Sequence, residues 1–133
     1  MESTGEKKRI LLVEDDEFIR DLYKRQFTLA NLSVDAVRNG KEALAILETN
    51  SYDLILLDIM LPDTNGLDVL KSIKGNERIK SIPVVLLTNL GQDTVIQEGF
   101  VLGAEDYIIK ASHTPDQLIE KIRGLFERFE NSP

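Results

Sequence analysis

Short apolar blocks recur along the chain, separated by longer stretches in which apolar residues return every three or four positions. The first block, Ile10 to Val13, is continuous rather than alternating, as in a strand buried on both faces. Residues 17 to 30 follow with Phe18, Ile19, Leu22, Tyr23 and Phe27 near helical spacing. Ser33 to Val37 predicts a second strand. Asn39, with Glu42 three residues on, has the signature of a helix start, which Ala43, Leu44, Ile46 and Leu47 continue. The densest apolar run, Leu54 to Leu57, predicts the third strand. Asn65-Gly66 then opens a helix bearing Leu67, Leu70 and Ile73, with Gly75 as its stop. Pro83 to Leu87 predicts a fourth strand, the proline tolerated at its first position. Val95, Ile96 and Phe100 give the next helix a face, though Gly99 weakens it. Tyr107 to Ile109 predicts the fifth strand. Thr114-Pro115-Asp116-Gln117 combines an N-cap, a proline at the first helical position and a glutamine at the third. Leu118, Ile119, Ile122, Leu125, Phe126 and Phe129 stripe the helix that follows.

Five strands alternating with five helices predict an α/β fold, a doubly wound parallel sheet with helices on both faces. Ligands bind such sheets at the carboxyl ends of the strands. The residues ending or just following the strands are Glu14 and Asp15, Asp58, Thr88 and Lys110, so a parallel sheet gathers them at one edge. Taken singly, each has an ordinary reading. The acid run Glu14 to Glu17 is charge at a helix start, Asp58 is a turn residue ahead of Pro62 and Gly66, and Thr88 and Lys110 are unremarkable. Taken together they differ. Three carboxylates held close repel unless a cation joins them, and a hard ion such as Mg²⁺ takes one or two carboxylates plus water and phosphate. With Lys110 as a fixed positive charge and Thr88 as a hydroxyl donor, the set can hold a phosphoryl group. Asp58 can then form an acyl phosphate.

Composition removes several alternatives. The 133-residue chain fits one domain, carries a formal net charge of −7 and has no cysteine. That length supports a core without disulfides, and the acidity disfavours direct nucleic-acid binding, which draws on phosphate neutralisation. No apolar run is long enough to span a membrane, and Met1 to Arg9 lacks the apolar segment of a signal peptide. Residues 1–8 read as a loose lead-in and 9–130 as the folded unit.

The segments ILLVEDDEFIR, YDLILLDIMLPDTNG, PVVLLTNLG and GAEDYIIK, in this order and spacing, resemble the receiver domain of two-component response regulators from Arg9 to Phe129. The resemblance implies a flavodoxin-like sheet of order 2-1-3-4-5. It implies that Asp58 accepts a phosphoryl group from a sensor histidine kinase or a phosphotransfer protein. Glu14, Asp15, Asp58 and the Met60 backbone carbonyl would hold Mg²⁺, while Thr88 and Lys110 contact the phosphoryl oxygens. Tyr107 matches the aromatic switch that turns inward when the threonine moves, altering the helix 4–strand 5–helix 5 face for a downstream effector or a second copy. The chain would then be a cytoplasmic phosphoacceptor that assists its own phosphorylation and dephosphorylation, not a turnover enzyme, and would bind neither nucleic acid nor membrane. Met60 and Leu90, bulky and apolar where fast-discharging receivers often carry polar groups, imply slow loss of the phosphate. Asp16 and Glu17 only start the helix. His113, the only histidine, reads as a solvated loop residue without a role.

Two departures from the family pattern stand out. Ala111 follows Lys110 where many receivers have proline in a cis peptide. A cis bond before alanine costs about 3–4 kcal/mol against about 0.5–1 before proline, so a trans bond in a rearranged loop is expected. Asn89 replaces the usual small residue after the threonine, narrowing access or adding a polar contact. Two other classes share the fold. A pseudo-receiver, a binding module independent of phosphorylation, usually lacks an acid, the acceptor or the lysine. A Mg²⁺-dependent aspartyl-phosphate hydrolase usually has a second acid where this chain has Met60. The chain ends soon after the last helix, as a stand-alone regulator or an excised piece of a longer one would.

Overall fold

A computed structural model describes residues 7–89 and 93–130, with Ala111 described by its backbone alone. The elements are β1 (Arg9–Val13), α1 (Glu17–Leu29), β2 (Ser33–Val37), α2 (Gly40–Ile46), β3 (Leu54–Asp58), α3 (Gly66–Lys74), β4 (Val84–Thr88), α4 (Asp93–Val101), β5 (Asp106–Ile109) and α5 (Pro115–Glu130). A 3₁₀ turn, Lys110–Ser112, joins β5 to α5. The sheet runs β2-β1-β3-β4-β5 with every pair parallel, the order that the resemblance implies. Pro83 lies just outside β4, where its carbonyl accepts the Ile55 amide at 2.9 Å.

Side-chain alternation along the strands builds two cores. Leu11, Val13, Ile55, Leu57, Val84 and Leu86 pack with Ala43, Leu70 and Ile73 of α2 and α3. Ile10, Leu12, Leu54, Leu56, Val85, Leu87 and Ile108 pack instead with Phe27 of α1 and with Leu118 and Ile122 of α5. Each such aliphatic residue, taken fully from water, contributes about 1.5–3 kcal/mol, which makes the strand ends a rigid base for the site.

Helix starts follow the sequence with one shift. Asp16 accepts the Ile19 amide at 3.0 Å, and Asn39 accepts that of Glu42 at 2.8 Å. Glu42, however, reaches back to the amide of Arg38, one residue ahead of the cap. Thr114 and Gln117 complete the reciprocal pair at 3.2 and 2.9 Å. Two helix ends are closed from a distance: Arg123 donates to Ala30 O at 3.0 Å and Arg78 to Leu47 O at 2.6 Å. At the amino edge of the sheet Tyr52 donates to Asp35 Oδ2 at 2.6 Å while Arg9 lies over the Tyr52 ring. No helix among the described residues is long and apolar enough to cross a membrane.

Candidate functional site

The register levels the strand ends. Val13 pairs with Leu57, Asp58 with Leu87, and Thr88 with Ile109, so Glu14, Asp58, Thr88 and Lys110 stand at the carboxyl edge. Alternation then divides them. Glu14, Asp58 and Lys110 share the parity of Ile10, Leu56 and Ile108, toward α1 and α5, and their side chains meet. Thr88 and Tyr107 share the parity of Leu86, toward the opposite helices. The edge therefore gathers all of the expected residues, but only three side chains, with Asp15 beside them, form one cluster.

Lys110 Nζ donates to Asp58 Oδ2 at 2.7 Å and lies 2.6 Å from Glu14 Oε1. The second approach is an ion pair off the hydrogen-bonding direction, and Glu14 Oε1 is a buried side-chain oxygen left without a hydrogen-bond partner. The other Glu14 oxygen accepts the Asp16 amide at 3.0 Å, and Asp58 Oδ1 accepts that of Met60 at 3.0 Å. Burial pushes the Glu14 carboxyl up to about 7 against the pull of Lys110, and the charge of Asp58 adds to the rise. Burial works against the Lys110 ammonium, yet its attraction to Asp58 and Glu14 outweighs it and leaves the lysine above its ordinary value.

Glu14, Asp15 and Asp58 each offer an oxygen within 4.8 Å of the others. Three carboxyl groups share one ammonium, and Glu14 Oε1 has no partner but that ammonium. All the donors are hard oxygens, so the set fits a divalent cation such as Mg²⁺ in both charge and chemistry. The β3–α3 connection brings the Met60 backbone to the same place. Its turn is closed by pairing of Met60 with Asn65 and by the Gly66 amide, which donates to Ile59 O at 2.8 Å. A side chain at Gly66 would run into the Asp58 carbonyl, so only glycine lets α3 start this close to Asp58.

A cavity of about 630 Å³ opens over the cluster, lined by Glu14, Asp15, Asp58, Met60, Asn89 and Lys110 on one side and by Ile19, Tyr23, His113 and Pro115 on the other. Thr88 is absent from that lining: it is buried, and its hydroxyl donates to Asn89 O at 3.2 Å. Tyr107 meets Phe100 edge-on, ring centres 6.1 Å apart. Leu90 lies outside the described residues. His113 corrects the sequence expectation, for it is half-buried at the cavity wall with Nδ1 3.2 Å from Ile109 O. Tyr23 was not foreseen as a site residue. Its helical spacing marks it as core, yet it lines the cavity and feels the charges of Lys110, Glu14 and Asp58, while burial raises its phenol. No peptide bond among the described residues is cis, in keeping with a trans Lys110–Ala111 bond and the 3₁₀ turn after it.

A family model described as the response regulator receiver domain matches residues 10–123. The chain is 38% identical over 129 residues to the transcriptional regulatory protein ResD of Bacillus subtilis, covering 96% of this chain and 51% of ResD. The chain thus spans about half the length of the curated relatives it matches. Among solved structures, a CheY-like receiver domain protein from Methanospirillum hungatei aligns with a TM-score of 0.85 at 29% identity, over 94% of this chain and 98% of that one. The phosphorylated cyanobacterial phytochrome response regulator RcpA aligns with a TM-score of 0.80 at 32% identity, over 96% and 97%. The family match over most of the chain, with 38% identity to a curated relative across 96% of it, shows that the chain belongs to the response regulator receiver domain family.

Proposed function

We propose that residues 9–130 form a phosphorylatable receiver in which Asp58 accepts a phosphoryl group from a phosphohistidine on a sensor kinase or phosphotransfer protein. The observation that supports this most is Lys110, whose ammonium lies between the buried carboxylates of Asp58 and Glu14. A group so placed steadies Asp58 before transfer and can follow the negative charge onto the phosphoryl oxygens afterwards. The Asp58 carboxylate attacks phosphorus as the phosphorus–nitrogen bond breaks. The bonding electron pair leaves with the imidazole, which then takes a proton from solvent. Glu14, Asp15, Asp58 and the Met60 carbonyl are the residues that would hold Mg²⁺, which when bound neutralises charge on the transferring group. The phosphorylated state of RcpA is consistent with this chemistry in the same fold.

The output side follows from the alternation of side chains. To reach a phosphoryl group the Thr88 hydroxyl must turn from Asn89 O, on the side of the sheet where Tyr107 and Phe100 meet. That movement alters the face of α4, β5 and α5, which then engages an effector or a second copy. The names of the longer relatives extend the proposal to control of transcription; a cytoplasmic location is part of the same proposal. Incubation with Mg²⁺ and acetyl phosphate, followed by intact mass, tests the reading. One stable added phosphoryl is expected. No addition would mark a pseudo-receiver, and sustained phosphate release a hydrolase.

A further inference from the structure

Asp63 lies at the tip of the turn between β3 and α3, on the surface and away from the acid cluster. Its carboxylate nevertheless makes two long-range bonds: Oδ1 accepts the Gly40 amide at 3.0 Å and Oδ2 the Lys41 amide at 3.0 Å. Those amides belong to the first turn of α2, whose helical bonding leaves them free. The Gly40 amide is the chief reason that the Asp63 carboxyl lies below the usual carboxylate range. Thr64 closes the same contact, its methyl resting where Gly40 has no side chain.

The base of this turn is Met60, paired with Asn65, and its amide donates to Asp58 Oδ1. The turn is therefore held at two ends, by the acceptor carboxylate at its base and by α2 at its tip. The other acid-bearing loop has a separate clamp: the Arg20 guanidinium donates to Glu14 O and Asp15 O at 3.1 and 3.3 Å. Both loops that carry a metal-holding atom are thus tied to the rest of the fold by a charged side chain, Arg20 for one and Asp63 for the tip of the other.

We propose that Asp63 is a positioning residue for the cation site, fixing the Met60 carbonyl by anchoring its turn to the start of α2. The inference rests on the reading of Met60 as a ligand of Mg²⁺. Without the tie the turn is held at its base alone, and part of the carbonyl's order must be supplied at the moment of binding, which weakens binding without removing any ligand. Partners lying behind metal ligands typically change affinity by about 10–100-fold. Asp63→Ala should fall near the lower end, at about tenfold weaker Mg²⁺ binding, and Asp63→Asn, which keeps one acceptor, between Ala and the wild type.

The test is titration of the full chain with Mg²⁺ alone, followed by the amide resonances of Asp58 and Met60. Arg78→Ala serves as the control: it removes the bond to Leu47 O at the far end of α2 and loosens that helix without touching the turn. It should lower thermal stability while leaving Mg²⁺ affinity within about twofold of wild type. Wild-type affinity in a folded Asp63→Ala overturns the inference, as does an equal loss in Arg78→Ala. A wild-type chain whose Asp58 and Met60 amides ignore Mg²⁺ overturns the phosphoacceptor reading and this inference with it.

Discussion

Both oxygens of Asp58 are engaged, one by the Met60 amide and one by Lys110, at a residue only 3% exposed. On the proposed reading, a carboxylate so fixed needs no reorientation before it attacks phosphorus. Asp58→Asn should therefore abolish phosphorylation, and label appearing on any other residue would refute the acceptor assignment. Asp15 is exposed, so Asp15→Ala should leave stability within about 0.5 kcal/mol of wild type while removing Mg²⁺-dependent phosphorylation. Normal labelling of that variant would sink the cation site. Met60 lines the cavity with an apolar side chain that offers an attacking water no hydrogen bond. The double variant Met60→Asn with Leu90→Glu should lose its phosphoryl roughly tenfold faster or more once the donor is removed; equal decay would show that the apolar pair does not set the lifetime. The acids and the lysine were legible because each ends or follows an apolar block. The division between them and Thr88 was not legible, because it depends on the register that pairs Asp58 with Leu87 and so turns Thr88 to the other side of the sheet. Tyr23 and His113 were not legible, because helical spacing explained one and a loop position the other.

Helix α4 buries only Ile96 and Gly99 of its own residues. Gly99 lets it lie close on the sheet, its missing side chain leaving room for Leu86, while Phe100 is 44% exposed and Val101 86% exposed on the outside. The glycine that weakens the helix in sequence is thus also the contact that seats it on β4. An element with low intrinsic stability and an uncovered apolar edge can take two positions. Adding beryllofluoride with Mg²⁺ should shift amide resonances from 93 through 110 and along α5, and shifts confined to the cluster residues would remove α4 as the switch. The five strands and five α-helices were legible because short continuous apolar blocks alternate with stretches of three-to-four spacing. The boundaries that moved did so for local reasons. Pro83 lacks the amide that a first ladder residue would donate, and Glu42 accepts the Arg38 amide instead of that of the cap residue Asn39.

The two cores explain why the fold tolerates a costly cluster at one edge: the strands beneath it are buried on both faces, so the charges strain the rim and not the base. Folding raises the Glu14 carboxyl from 4.5 to about 7, so the folded chain takes up a proton in that interval. Stability from this group is fully present below the lower value and is lost as pH climbs through the higher one. Mg²⁺ competes with that proton, so the rise in melting temperature on adding it should be larger at pH 8 than at pH 5.5. An equal rise at both would separate Glu14 from the cation site. The sheet order was legible through the resemblance, whereas the depth of the Glu14 side chain was not, because burial depends on Lys110, Tyr23 and α1 closing over it. The hydrogen bond between Tyr52 and Asp35 has an optical consequence. The chain has three tyrosines and no tryptophan, and a phenol bonded to a carboxylate emits weakly because the excited state hands over its proton. Tyr52 should therefore emit weakly, with native ultraviolet emission expected mainly from Tyr23 beside the acid cluster and Tyr107 against α4, so the unlabelled chain carries one lamp at the cluster and one at the outer helix.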